Sequence, residues 1–181
     1  MRKILALLSL SVCLVGAGAC GRQPQPEYRP TATIKDIMDS MVDQDADAVW
    51  ESVATDVTAA GTEQRAPKTD EEWKNVRRHA IPILEATNLL LIPGRKVARP
   101  GEKSENPKVE LSPERIQALI DEDRESFVRL AHGLHDAMTV AIKAIDDRNP
   151  DALFDAGDGI DKACENCHLK YWYPGKQAPG Q

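Results

Sequence analysis

Apolar residues recur at three- and four-residue intervals along most of the chain, with polar and charged residues between them. That period marks amphipathic helices. Ile34, Ile37, Met38, Met41 and Val42 open the first, and Val49, Val53 and Val57 continue its face. The pattern predicts a helix over about residues 33–59, with the acidic stretch 43–47 as a point of bending. A polar turn over 61–68 follows. Thr69-x-x-Glu72 reads as a capping box for the second helix, whose face carries Trp73, Val76, Ala80, Ile81, Leu84 and Leu89. Pro82 predicts a kink inside it, and Pro93-Gly94 its end. A long connection over 94–111, rich in proline, lysine and glutamate, leads to Ser112-Pro113-Glu114. Serine at the cap and proline in the first turn start the third helix. Its face runs through Ile116, Leu119, Ile120, Phe127, Leu130, Leu134, Met138, Ala141 and Ile145. Asn149-Pro150-Asp151 opens the fourth in the same way, and Pro174-Gly175 stops it. No stretch alternates with period two, so no strand is expected. The expected fold class is all-α, an antiparallel four-helix bundle.

The first residues have a different character. Arg2 and Lys3 precede an apolar run over 4–15 and the small residues Ala17-Gly18-Ala19, the pattern of an export signal over 1–19. The run is too short for a comfortable transmembrane helix. Ala17-x-Ala19 suits ordinary signal-peptidase cleavage, whereas Cys20 directly after the small residues resembles a lipoprotein box. In the second case Cys20 becomes a lipidated N-terminus and residues 20–31, with their prolines and glutamines, a flexible tether. Membrane contact would then run through that lipid, and the location would be the periplasm. Cys13 lies inside the apolar run and would leave with it. Residues 32–173 form the expected domain and 174–181 a tail. The net charge of −6 argues against nucleic acid and against an electrostatic membrane-binding surface.

The chemistry concentrates at Cys164-Glu165-Asn166-Cys167-His168, near the end of the fourth helix. C-x-x-C-H reads as a c-type haem attachment site. Two thiols three positions apart share a helical face, where they can form thioethers with the two vinyl groups of one haem. The adjacent imidazole supplies the proximal iron ligand. A redox dithiol would expect a neighbouring βαβ pattern, and a zinc site a second pair of ligands; the sequence offers neither. A simple disulfide is the remaining alternative. No set of nucleophile, base and acid is readable, so an enzyme is not expected.

With that motif, its place in the last helix, and Met38 early in the first, the chain resembles the cytochrome c′ family (class II c-type cytochromes), including its low-spin c556-like members. The resemblance spans about residues 31–173 in architecture and rests in motif on the haem site. Ile34 stands where an arginine is common four residues before the methionine, and Leu169-Lys170-Tyr171-Trp172-Tyr173-Pro174 replaces the family's usual tail. The resemblance implies one covalent haem c, held by Cys164, Cys167 and His168, a redox partner protein, and leaves a homodimer open.

The sixth ligand separates the functions. Met38 lies roughly 7–8 Å from the start of helix one, at the end where the motif sits, and Met41 is one turn deeper. Either could equally fill core space. His132, His135 and Met138 lie about 30 Å or more along helix three, and His79 falls early in helix two, all at the wrong end. His168 with Met38 on the iron implies electron transfer. His168 alone implies a five-coordinate cytochrome that binds nitric oxide or carbon monoxide. A non-haem periplasmic lipoprotein that binds a partner is the third reading. Arg95 and Arg99 are either propionate partners or solvated loop residues. Tyr171-Trp172-Tyr173 either covers a haem edge or packs the chain's end on the bundle.

Overall fold

The computed structural model describes residues 27–59 and 61–174, and the protein is mostly helical across them. The export segment, Cys13, Cys20, most of the tether and nearly all of the tail lie outside the described residues. Among the described residues no helix is long and apolar enough to cross a membrane.

The first predicted helix is three pieces. α1, Ile34–Ile37, starts at a capping box in which Thr33 accepts from Asp36 N and Asp36 accepts from Thr33 N. A π-helical segment, Met38–Asp43, follows, then α2, Gln44–Glu51. The helix ends there and does not reach residue 59. The chain instead forms an antiparallel hairpin, β1 Ala54–Thr58 with β2 Gly61–Arg65, in register Ala54↔Arg65 to Thr58↔Gly61. This corrects the expectation of no strand. Thr55, Val57 and Thr58 are β-branched and favour extended backbone, and Gly61 supplies the φ of 134° at the turn. Val57, 79% exposed, does not continue any buried face.

α3, Asp70–Leu90, begins at the Thr69–Glu72 capping box and carries Pro82 in its interior. Its buried stripe runs Trp73, Val76, Ala80, Ile83, Ala86 and Leu90. Ile81, Leu84 and Leu89 only flank that stripe, half-buried, which shifts the expected face by part of a turn. The third predicted helix is broken in two, α4 Pro113–Glu122 and α5 Arg124–Asp146. The break is at Asp123, whose backbone leaves helical geometry (φ −131°, ψ 63°) and whose carboxylate caps α5 by accepting from Ser126 N. Apolar spacing continues across the break, so periodicity alone hides it. α6, Pro150–Tyr171, is capped by Asn149 accepting from Ala152 N.

Neighbouring long elements run antiparallel. Arg77 pairs with Asp146 at 2.8 Å and Arg124 donates to Leu91 O at 2.7 Å, which fixes α3 against α5 at both ends. Phe127 and Tyr171 meet edge to face at 5.6 Å at one end of α5 and α6, and a Cβ built on Gly159 would lie 4.0 Å from Ala137 Cβ near their middles, which sets these two antiparallel as well. His79 and Asp45 join α3 to α2 at 2.7 Å. The tightest part of the core is the α3–α5 seam, where Ala80, Ile83, Ala86, Met138 and Ala141 have no exposed surface.

The long connection is structural. Lys96 O and Val97 O accept from Ile34 N and Lys35 N, which completes the start of α1. Arg95 is buried and donates to Leu89 O (2.7 Å) and Ala32 O, and Arg99 pairs with Asp36. Both arginines are therefore engaged in tying the first helix down, and neither is a solvated loop residue without partners.

Candidate haem-attachment site

Cys164, Cys167 and His168 fall at i, i+3 and i+4 on α6, one surface of the helix, in its penultimate turns. Both cysteines are free thiols and half-buried. Burial pushes the Cys164 thiol up to about 11, with Asp161 and Asp43 adding in the same direction. Burial pushes Cys167 up to about 12. Such thiols stay protonated at neutral pH, unlike the low-pKa thiolate of a redox dithiol. His168 is lowered by burial, against the opposing charges of Glu165, Asp43 and Glu110, so its imidazole is neutral. Among the described residues no group of three His, Cys, Asp or Glu could hold a metal ion, so a zinc tetrahedron would lack its other half.

The first helix lies across from this motif. A Cβ built on Gly157 would come 3.3 Å from Trp50 Cδ1, so α2 and α6 touch there. Asp43 is seven residues before Trp50, and Cys164 seven after Gly157. That antiparallel step agrees with Asp43's charge acting on both Cys164 and His168. Continued further, it brings the π segment that carries Met38 and Met41 towards the turns of α6 that hold Cys164, Cys167 and His168. Both methionines are half-buried against the core. Between α2 and α6 lies a cavity of about 400 Å³ lined by Val49, Trp50, Val53, Leu153, Phe154 and Ile160, with Asp161 at its edge one turn before Cys164. Small-molecule sites commonly measure ~300–1,000 Å³. Two protonated thiols, a neutral imidazole and an adjoining apolar opening form a donor set suited to a haem.

The aromatic tail folds back on the motif. Tyr171 is buried, donates its hydroxyl to Asp123 O at 3.0 Å, and is pushed up to about 12 by burial. Trp172 N and Tyr173 N both donate to His168 O, at 2.7 and 3.0 Å. Their rings lie 6.1 and 5.8 Å from the imidazole. Trp172 O accepts from Leu111 N at 2.8 Å, so the long connection also closes this end.

Other residues singled out in the sequence lie elsewhere. His132 is exposed, His135 is half-buried beside Asp136, and Met138 is fully buried in the α3–α5 seam. His79 is engaged with Asp45. Cys20 lies outside the described residues. The sequence reading missed the π segment, the cap at Asp123, and the hydrogen bond from Tyr173 to Glu165 (2.7 Å). Only Asp123-x-x-Ser126 carries a local signal, that of a helix cap. No protein-family model, curated protein or solved structure matches the chain.

Proposed function

We propose that the protein is an exported c-type cytochrome of the class II type, a four-helix bundle that carries one covalent haem and transfers electrons. The observation that carries this reading is the motif on α6: two protonated thiols and a neutral imidazole on one face, beside an apolar opening. The antiparallel contacts between α2 and α3, α3 and α5, α5 and α6, and α6 and α2 support the bundle. Cys164 and Cys167 would hold the haem through thioethers, with His168 as proximal ligand. Met38 is the preferred sixth ligand: it is half-buried on the π segment and lies nearer than Met41 to the start of the first helix. When bound, the haem would supply an iron that alternates between ferrous and ferric states. The chain's own contribution is a low-dielectric wall, a neutral imidazole and a thioether, which together favour the ferrous state.

Expression with c-type maturation machinery tests the attachment. Haem should remain on the chain after denaturation and extraction into acidified organic solvent, and Cys164→Ala with Cys167→Ala should abolish that retention. Met38→Ala should convert a low-spin protein towards high spin, remove the sulfur–iron charge-transfer band and let carbon monoxide bind the ferrous form. A wild-type protein that is already high-spin and binds carbon monoxide would replace electron transfer with gas binding. Intact mass would separate a diacylglycerol-modified Cys20 from an unmodified N-terminus.

A further inference from the structure

Two helices that touch at Trp50 and Gly157 bring aromatic and acidic side chains to one face. Trp50 is 37% exposed and Phe154 56%, and both line the opening between α2 and α6, so its mouth is an aromatic surface in contact with solvent. An exposed apolar patch with a polar rim marks a place where another molecule binds. The rim here has one sign. Residues 39–51 and 151–165 hold ten acidic side chains and one lysine, Lys162. Asp158 and Asp161 line the opening themselves. Asp47 is three residues before Trp50 and Asp151 three before Phe154, each its neighbour on a helix surface. Asp158 takes Lys162 at 2.9 Å, and among the described residues Asp47, Asp151 and Asp161 form no ion pair. On other surfaces Asp70, Asp123, Asp146 and Asp147 each have a basic partner.

We propose that this mouth docks a protein partner with a basic surface. Lysines or arginines of the partner meet Asp47, Asp151, Asp158 and Asp161, and an apolar side chain among them packs on the outward faces of Trp50 and Phe154. The charge decides the class of partner. Such a rim repels anionic lipid and nucleic acid, whereas it draws in a cationic protein surface over about a Debye length, ~8 Å at physiological salt. The aromatic centre decides where the partner rests, since aromatic residues are enriched at interface cores and charges at the rim. The contact uses the outward faces of the rings, so it does not compete with a group held in the opening beneath them. For its purpose the proposal rests on the cytochrome reading. Phe154 is ten residues before Cys164 on α6, about 15 Å along the helix, so the docked protein would be the redox partner.

The probe is a synthetic amphipathic peptide of lysine and leucine, titrated into the haem-loaded full chain and followed by ¹H–¹⁵N NMR and calorimetry. The Trp50 indole N–H should shift on binding while that of the buried Trp73 stays, and the affinity should fall as salt is raised. Phe154→Ala should weaken binding about tenfold. Asp158→Asn with Asp161→Asn should weaken it by roughly 3- to 10-fold. Glu122→Gln with Glu125→Gln removes the same charge from exposed positions of α4 and α5 and should leave the affinity unchanged. A lysine-only peptide of equal charge should bind more weakly, and a peptide of glutamate and leucine not at all. The docking face is overturned by an unmoved Trp50 signal or by equal losses from the two charge pairs. Full affinity for the lysine-only peptide, or full affinity after Phe154→Ala, overturns it too. Repeating the titration on the haem-free chain separates the two readings. Peptide binding to a wild type that takes no covalent haem keeps the face and overturns the cytochrome; covalent haem without peptide binding does the reverse.

Discussion

Two seams between helices, α3 against α5 and α2 against α6, are built to different standards. Between α3 and α5, alanines alternate with Ile83 and Met138, none of them exposed, and the Arg77–Asp146 ion pair closes one end. Between α2 and α6 the helices meet at Trp50 and Gly157 and then part around a cavity, with Trp50 and Phe154 37% and 56% exposed. Small residues let α3 and α5 approach closely; large ones at the mouth of the other seam hold it open. The half of the molecule that holds no candidate chemistry is the half that is fully packed. Chemistry-bearing residues lie along the open seam and at its end.

The contrast breaks most readily at Ile83. Truncating it to alanine should destabilise the protein by about 2–5 kcal/mol in denaturant unfolding, since it is fully buried and its neighbours cannot collapse. Phe154→Ala on the open seam should cost well under that, because over half of its surface already meets water. Equal costs would mean that the open seam is closed in solution. The next effect is at the end of the molecule. Tyr171→Phe removes a buried hydroxyl from Asp123 O and should cost about 0.5–1.5 kcal/mol, readable in the same assay.

Capping was legible in the sequence because it is local. Thr69 with Glu72, Ser112 with Pro113 and Asn149 with Pro150 each start a helix where their spacing says they should. The spacing of Cys164, Cys167 and His168 is local in the same way, and it places them on one surface of α6. What escaped depends on distant partners or on competition between local forms. The extended backbone of 54–58 and 61–65 competes with a helix that the spacing of Val49, Val53 and Val57 also suits, and the ladder decides the outcome. Arg95 reads as a loop charge because nothing nearby announces Ala32 O, sixty-three residues away, as its acceptor. Met38 and Met41 share an apolar face in sequence, and only the contact of Trp50 with Gly157 shows that the first helix runs alongside α6.

Acid should also act at the α5–α6 end. Lys170 and the Ser126 amide hold the Asp123 carboxyl down to about 2. A depressed carboxyl contributes stability above its unfolded value of 3.8, and that contribution is lost as pH falls towards about 2. The thermal midpoint should therefore fall between pH 4 and 2, and Asp123→Asn, which can still cap Ser126, should flatten that fall. A variant with an unchanged acid limb would show that the pair with Lys170 contributes nothing at this surface.

The smallest expected effects give the most direct reading of the open seam, because two helical glycines differ in what surrounds them. Gly133 lies within α5 with nothing inside 4 Å of an added Cβ. Gly133→Ala should stabilise the protein by roughly 0.5–1 kcal/mol, the usual gain when a helix interior loses a glycine. Gly157→Ala gains the same helix propensity, but its methyl would meet Trp50 at 3.3 Å. Trp50 must give by a few tenths of an ångström, and its outer surface is free enough to let it. The net change should remain stabilising but smaller than at Gly133. In the haem-loaded protein the two should diverge further if the opening beside Trp50 receives part of the haem, since Trp50 then has less room to move. Gly157→Ala would lose its advantage there and Gly133→Ala would keep it. Paired unfolding curves of the two variants, with and without haem, measure that difference directly. Identical gains at both glycines in the loaded protein would mean that the α2–α6 opening is not part of the haem's surroundings.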